Sequence, residues 1–233
     1  MAARFYCAEI DGETVRLDES ESHHALHVMR LKTGDDLELF DGHGRVGQGQ
    51  IAGTDRKQVS VAVHGVIDSA RPNRPRLIVA AAPPRGDRLK SMVEKLTELG
   101  VDDFIPLRTV RSVVDPRQSR LEKLRSTVIG AMKQSGRNHL LQIHEPCEFS
   151  VVLRNSSAAA QSVWLAHPGD AAQSADKKIQ RDAILLIGPE GGFTNEEVLQ
   201  AADYDVQRLS WPEGILRIET ASVLFAGLLL QRM

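Results

Sequence analysis

Short apolar runs after residue 75 constrain this chain more than any other feature. RLIVAAAPP (76–84), VDDFIPL (101–107), SVWLAHP (162–168), AILLI (183–187) and DVQRLSW (205–211) each have the length and composition of a strand. Segments with helical spacing lie between several of them. DRLKSMVEKLTELG (87–100) places apolar residues at 89, 92, 93, 96 and 99 and stops at Gly100. SRLEKLRSTVIGAMKQSG (119–136) is a basic amphipathic helix, TNEEVLQAAD (194–203) a shorter one, and TASVLFAGLLLQR (220–232) an apolar closing one. Strands alternating with helices predict an α/β domain with a mainly parallel sheet.

The texture before residue 75 differs. DDLELFDG (35–42) alternates polar and apolar residues and turns at Asp41-Gly42. VGQGQIAGTD (46–55) and KQVSVAVHGVI (57–67) add two short strands. The pattern predicts a small β-barrel, interrupted by one helix over ESHHALHVMRL (21–31) after Ser20. ARPNRPR (70–76) reads as a linker. The expected organisation is a barrel over 1–70, a linker over 71–75 and the α/β domain over 76–233.

Composition narrows the class. Hydrophobic residues make up 42% and charged residues 26%, as in soluble globular proteins. No apolar run approaches the roughly 20 residues of a membrane helix. MAARFYCAEIDGE has no signal-peptide core. Cys7 and Cys147 form no metal or redox motif, so they read as structural thiols in a reducing cytoplasm. Charge is uneven. Residues 1–70 hold 7 Lys+Arg against 12 Asp+Glu, residues 71–140 hold 15 against 7, and residues 141–233 hold 7 against 12. A basic block between two acidic blocks is either an electrostatic footprint for a polyanion or a solvated helix face.

ILLIGPEGGF (184–193) joins an apolar strand to a helix through a glycine-rich loop. Thr194 lies three residues before Glu197, a capping-box spacing, so the helix starts near Asn195. The loop therefore sits at the carboxyl end of a strand, where open α/β sheets bind ligands. It lacks the Lys and Ser/Thr of a phosphate loop, since Phe193 follows Gly192. Glu190 in its middle would repel a phosphate. The loop suits a neutral or cationic ligand, or a plain tight turn.

A second constellation, GILRIETAS (214–222), carries Arg217 and Glu219 just before the last helix, with Thr220 or Ser222 as its cap. Alone, the pair reads as a surface ion pair. Together, the loops at two strand ends can wall one pocket. His23, His24 and His27 lack a third ligand cluster and an H-E-x-x-H pattern, so no metal is expected. Trp164 and Trp211 read as core or pocket wall.

IGPEGGF with EEV, followed by LS…ILRIETA, resembles the C-terminal motifs of the RsmE family. HHALHVMRLKTGDDLELFDGHG (23–44) resembles that family's PUA-like RNA-binding domain. GDRLKSMVEKLTELGV (86–101), VRSVV (110–114) and KQSGR (133–137) resemble its central signatures. These enzymes methylate N3 of a uridine in small-subunit 16S ribosomal RNA, using S-adenosylmethionine. The resemblance implies a SPOUT-class α/β fold with a C-terminal trefoil knot, and a homodimer with the donor in the knot. It implies that Ile187, Gly188, Pro189, Glu190, Gly191 and Gly192 hold the donor with Leu209, Trp211, Ile215, Leu216 and Arg217. Leu165, Ala166, His167 and Pro168 would line the same pocket.

Uracil N3 must lose a proton before it attacks, which makes Arg217 the candidate anion stabiliser. Glu219 is a second candidate, as base or as a partner holding Arg217. RNA contacts are expected from Arg85, Arg88, Lys90, Arg108, Arg111, Lys133 and Arg137, and from Arg4, Arg30, Lys32 and Arg45 on the barrel. One stretch departs from the family: LSWPEGILR (209–217) lacks the usual Leu-Gly pair. Two alternatives stand beside this reading: a SPOUT methyltransferase with another RNA target, and a non-catalytic RNA-binding or ribosome-assembly protein.

Overall fold

The computed structural model describes residues 2–55, 58–114, 118–169 and 178–233. Lys57, which opens one expected strand, lies outside the described residues. The chain forms two compact units, Met1–Pro72 with Met132–Leu140, and Asn73–Ala131 with Leu141–Met233.

The first unit holds β1 (Ala3–Tyr6), β2 (Thr14–Arg16), α1 (Glu19–His23), β3 (Asp36–Phe40), β4 (Arg45–Asp55) and β5 (Gln58–Asp68). The strands pair in the order β1-β3-β4-β5-β2, with β1 and β3 parallel and the remaining pairs antiparallel. Among the described pairings no ladder joins β1 to β2, so the hydrogen-bonded path is an open one rather than a closed barrel. Register shifts at Gln48/Gly49 and Ile51/Gly53 interrupt the β4–β5 ladder, and such irregularities increase strand bending and twist. The sheet encloses Phe5, Leu37, Leu39, Ile51, Val59 and Val61. The helix starts earlier than Ser20 suggests, because the Asp18 carboxylate accepts from Glu21 N–H at 2.7 Å. It is α-helical only to His23, then widens to a π-turn over His24–Val28. Arg30 follows at φ 56°.

Two expected RNA contacts are engaged inside this unit. Lys133 lies 2.5 Å from Glu21, which also accepts from Tyr6 N–H at 3.2 Å. Arg4 lies 2.6 Å from Glu38 and donates to the Met132 carbonyl at 3.0 Å and to Asn138 at 2.5 Å. These cations fix the 132–140 segment to the sheet, and Arg4 is too buried to meet a polyanion.

The second unit holds β6 (Leu77–Ala81), α2 (Arg88–Leu99), β7 (Asp103–Arg108), α3 (Gln118–Ser135, whose last turn lies in the first unit), β8 (Gln142–Ile143) and β9 (Cys147–Glu148). It continues with α4 (Phe149–Ala158), β10 (Ser162–Ala166), β11 (Ala183–Ile187), α5 (Asn195–Ala202), β12 (Gln207–Leu209) and α6 (Ile218–Leu230). Every strand pairing is parallel, in the order β12-β10-β11-β6-β7-β8 with β9 beside β7. The predicted parallel α/β sheet is present. α2 ends where Gly100 takes φ 91°, a left-handed cap that a side chain would strain. α4 is absent from the sequence expectation. Its paired valines and its Ser and Asn residues are poor helix formers, but Phe149, Val152 and Leu153 bury against the sheet and override propensity. α6 starts at Ile218 with Arg217 as N-cap and no side-chain cap, so neither Thr220 nor Ser222 caps it. Ser222 instead donates to the Ile218 carbonyl at 2.8 Å. α6 packs on α2, β6 and β11. No described helix is long and apolar enough to cross a membrane.

Buried Asp103, at the start of β7, lies 2.7 Å from both Arg76 and His144 Nε2. The hydrogen bond to Asp103 raises the His144 pKa above 6.5, against an opposing desolvation. Protonated His144 therefore stabilises the fold fully below pH 6.5, and that contribution disappears as pH rises through the folded-state value. Urea midpoints should fall modestly as pH is raised from 6 to 8, and His144→Gln should flatten that slope.

Candidate active site

The carboxyl ends of β11, β10 and β12 lie side by side, with Ala166 paired to both Ile187 and Leu209. His167 N–H extends this edge by donating to the Leu209 carbonyl at 2.9 Å. Loops leaving these ends enclose, with the start of α6, a cavity of about 350 Å³, within the range of small-molecule sites. Ala166, His167 and Pro168 form one wall, and Ile187 through Phe193 a second. Leu209, Ser210, Trp211 and Gly214 through Arg217 form the third, and Ile218, Ala221 and Phe225 of α6 the floor.

The glycine-rich loop is braced on several sides. Phe193 folds back over Gly188, where a Cβ would meet its ring at 3.0 Å and its backbone nitrogen at 3.3 Å. The same ring packs on Phe149 with centroids 5.0 Å apart. The predicted capping box is present: Thr194 accepts from Glu197 N–H at 3.2 Å, and Glu197 accepts from Thr194 N–H at 2.8 Å. Buried Glu197 also accepts from Val110 N–H at 2.9 Å, which ties in the loop after β7. From that loop Arg111 donates to the Gly191 carbonyl at 2.7 Å.

Most of the expected pocket residues meet here, and two do not. Leu165 lies one step before the strand end, so its side chain takes the opposite face and joins the core with Phe149 and Leu186. Glu219 also misses the lining. One residue is about 100° of helix turn, so Ile218 faces the cavity while Glu219 faces α2. There Arg88 lies 3.8 Å from Glu219 Oε1 and 3.8 Å from Glu190 Oε1. The other oxygen, Glu219 Oε2, is buried with no hydrogen-bond partner among the described residues. Ile218, Ala221 and Phe225 were missed, although their spacing puts them on one helix face.

The lining chemistry is simple. Among the described residues, Glu190 is its acid and Arg217 its cation, the rest being apolar, backbone, Ser210 and His167. No described lysine lines it, as a phosphate site would favour. The loop over 209–217 projects Trp211 and Ile215, 40% and 84% exposed, at the rim. Trp164 is core, at 3%.

Of the other expected RNA contacts, Arg30, Lys32, Arg85, Lys90 and Arg111 are exposed, and Arg88, Arg108 and Arg137 are half-buried. Arg108 lies 3.8 Å from Glu148, and Arg45 lies 2.7 Å from Asp11. Both cysteines are free, with burial pushing each thiol pKa up. The His23 and His27 rings meet at a tilt of 43°, with centroids 4.8 Å apart. Among the described residues no cluster could hold a metal ion.

Comparison with known proteins places this cavity in context. Residues 71–230 match the model of an RNA methyltransferase domain, and residues 17–63 that of an RNA methyltransferase PUA domain. Ribosomal RNA small subunit methyltransferase E of Synechocystis is 28% identical, over 95% of this chain and 75% of its own. The enzyme of the same name from Bacillus subtilis is 28% identical, over 91% and 87%. The crystal structure of ribosomal RNA small subunit methyltransferase E from Neisseria gonorrhoeae, bound to S-adenosyl methionine, superposes with a TM-score of 0.85. It is 26% identical and covers 99% of this chain and 98% of its own. With the model match spanning most of the sequence and the relatives agreeing along its length, the chain belongs to the RNA methyltransferase domain family.

Proposed function

We propose that this chain transfers the methyl group of S-adenosylmethionine to N3 of a uridine in small-subunit 16S ribosomal RNA. The observation that carries the reading is the cavity at three adjacent strand ends, with an acid and no lysine among its described lining. Such a lining fits a cationic donor that has no phosphate. The Neisseria relative, with its bound S-adenosyl methionine, supports the same fit. When bound, the donor supplies an electrophilic methyl group on a sulfonium.

Backbone from Ile187–Gly192 and Leu209–Arg217 holds and orients that donor, with Ala166, His167 and Pro168 closing the side. Arg217, exposed at the rim, stabilises the uracil anion that forms as the N3 proton passes to solvent. Glu219 is a positioning residue that holds Arg88, since its carboxylate turns away from the cavity.

The PUA-like unit over 1–70 and the exposed Arg30, Lys32, Arg85, Lys90 and Arg111 guide the RNA, so binding weakens steeply with salt. The methyltransferase domain, in the cytoplasm, follows a linker over 71–75 and extends over 76–233 apart from the 132–140 segment, which completes the first unit. A trefoil knot suits a chain that leaves β11, passes beyond β10 to form β12, then returns as α6 onto β6 and β11. A homodimer suits the half-exposed apolar residues Val223, Leu224 and Leu228 of α6.

Purified protein incubated with S-adenosylmethionine and 16S ribosomal RNA should give one N3-methyluridine, mapped by mass spectrometry. A methyl group on a ribose or another base would overturn the assigned position. Absence of donor binding by calorimetry would overturn the whole reading.

A further inference from the structure

We infer that Glu190 makes the cavity prefer the cationic methyl donor over its neutral product, and that Arg88 tempers this preference. The inference rests on the methyl-donor reading above. S-adenosylmethionine and S-adenosylhomocysteine share the adenosine, the amino group and the carboxylate. They differ by one methyl group and one positive charge on sulfur. Apolar walls and free backbone groups of the lining can serve the parts that both molecules share, without telling them apart. Charge is what can separate them, and among the described lining residues Glu190 carries the negative one.

The carboxylate is carried on a held backbone. Buried Pro189 precedes it, and the Gly191 carbonyl after it is bonded by Arg111 at 2.7 Å. Phe193 over Gly188 and the Thr194–Glu197 capping box secure the rest of the loop. The backbone that carries Glu190 is thus held, while its carboxylate stays about half exposed at the wall. Besides the rim cation Arg217, a second countercharge stands outside the lining. Arg88 stands 3.8 Å from Glu190 and 3.8 Å from Glu219, beyond hydrogen-bond range of either. It offsets the Glu190 charge without occupying its oxygens, and Glu219 anchors it from the other side. Such an arrangement keeps the donor favoured while limiting how strongly a cation is held.

Calorimetry with each ligand separately, on the wild type and on Glu190→Gln, Arg88→Met and Arg88→Lys, tests this. The measured quantity is the ratio of product Kd to donor Kd. Glu190→Gln should lower the ratio about threefold to tenfold, the range expected for one partly solvated charge at close approach. Arg88→Met should raise it about twofold to fivefold, and Arg88→Lys, which keeps the charge, should leave it near the wild-type value. Added salt should shrink these differences. A Glu190→Gln variant that weakens both ligands by the same factor would show that Glu190 serves shape alone and would sink the proposal. A ratio unchanged in Arg88→Met would remove Arg88 from it. Binding of neither ligand to the wild type would overturn the donor reading along with this one.

Discussion

Arg217→Ala should lower the rate of methyl transfer by about two to three orders of magnitude, with S-adenosylmethionine affinity held within about threefold. The fold tolerates the change. Arg217 is the extended N-cap of α6, and its side chain makes no cap hydrogen bond. Its carbonyl accepts from Ala221 N–H at 2.8 Å, a bond alanine retains. What is lost is an exposed guanidinium at the cavity rim, the group that in the proposed mechanism stabilises the uracil anion. Arg217→Lys should recover part of the rate, because it restores charge but not the planar fork. Single-turnover rates at saturating donor, with calorimetry for affinity, separate the two effects. Full turnover in the alanine variant would exclude Arg217 from the chemistry.

The second large effect concerns stability. Phe193→Ala should cost about 3–4 kcal/mol in urea unfolding, the usual penalty for emptying a buried aromatic site. The ring is 5% exposed, packs on Phe149 and covers Gly188. Its removal therefore hollows the core and also frees the loop that walls the cavity. Donor affinity should fall with stability, measured at a temperature where the variant is still folded. Phe193→Leu, which refills most of the space, should cost about half as much or less. A Phe193→Ala variant with wild-type stability would mean that the loop is held by its capping box and by Arg111 without the ring.

The parallel sheet was legible because its strands are continuous apolar runs, as burial on both faces demands. The pocket was legible because the glycine loop and the Arg217 segment stand at strand ends. Side-chain direction was not legible. Leu165 and Ala166 are neighbours in sequence but opposite in facing, and strand parity is invisible until the pairing is known. Glu219 stands one step around the helix from the cavity-facing Ile218 and lies beside Arg88. The roles of Arg4 and Lys133 depend on partners far along the chain: Lys133 pairs with Glu21 across a separation of 112 residues. No local pattern announces such a pair. α4 was hidden by poor helix formers whose burial only the assembled sheet provides.

The course of α3 has a consequence for anyone who would take this protein apart. The helix begins in the second unit, and its last turn, with the segment to Leu140, belongs to the first. Cutting between Pro72 and Asn73 would therefore not release two intact modules. The amino-terminal fragment would lack the carbonyls and the lysine that Arg4 and Glu21 engage. The carboxyl-terminal fragment would carry the orphaned segment as a sticky tail. Each half in isolation should precipitate or melt early, and the pair should do better mixed than apart. The gene encodes two units but only one separable product.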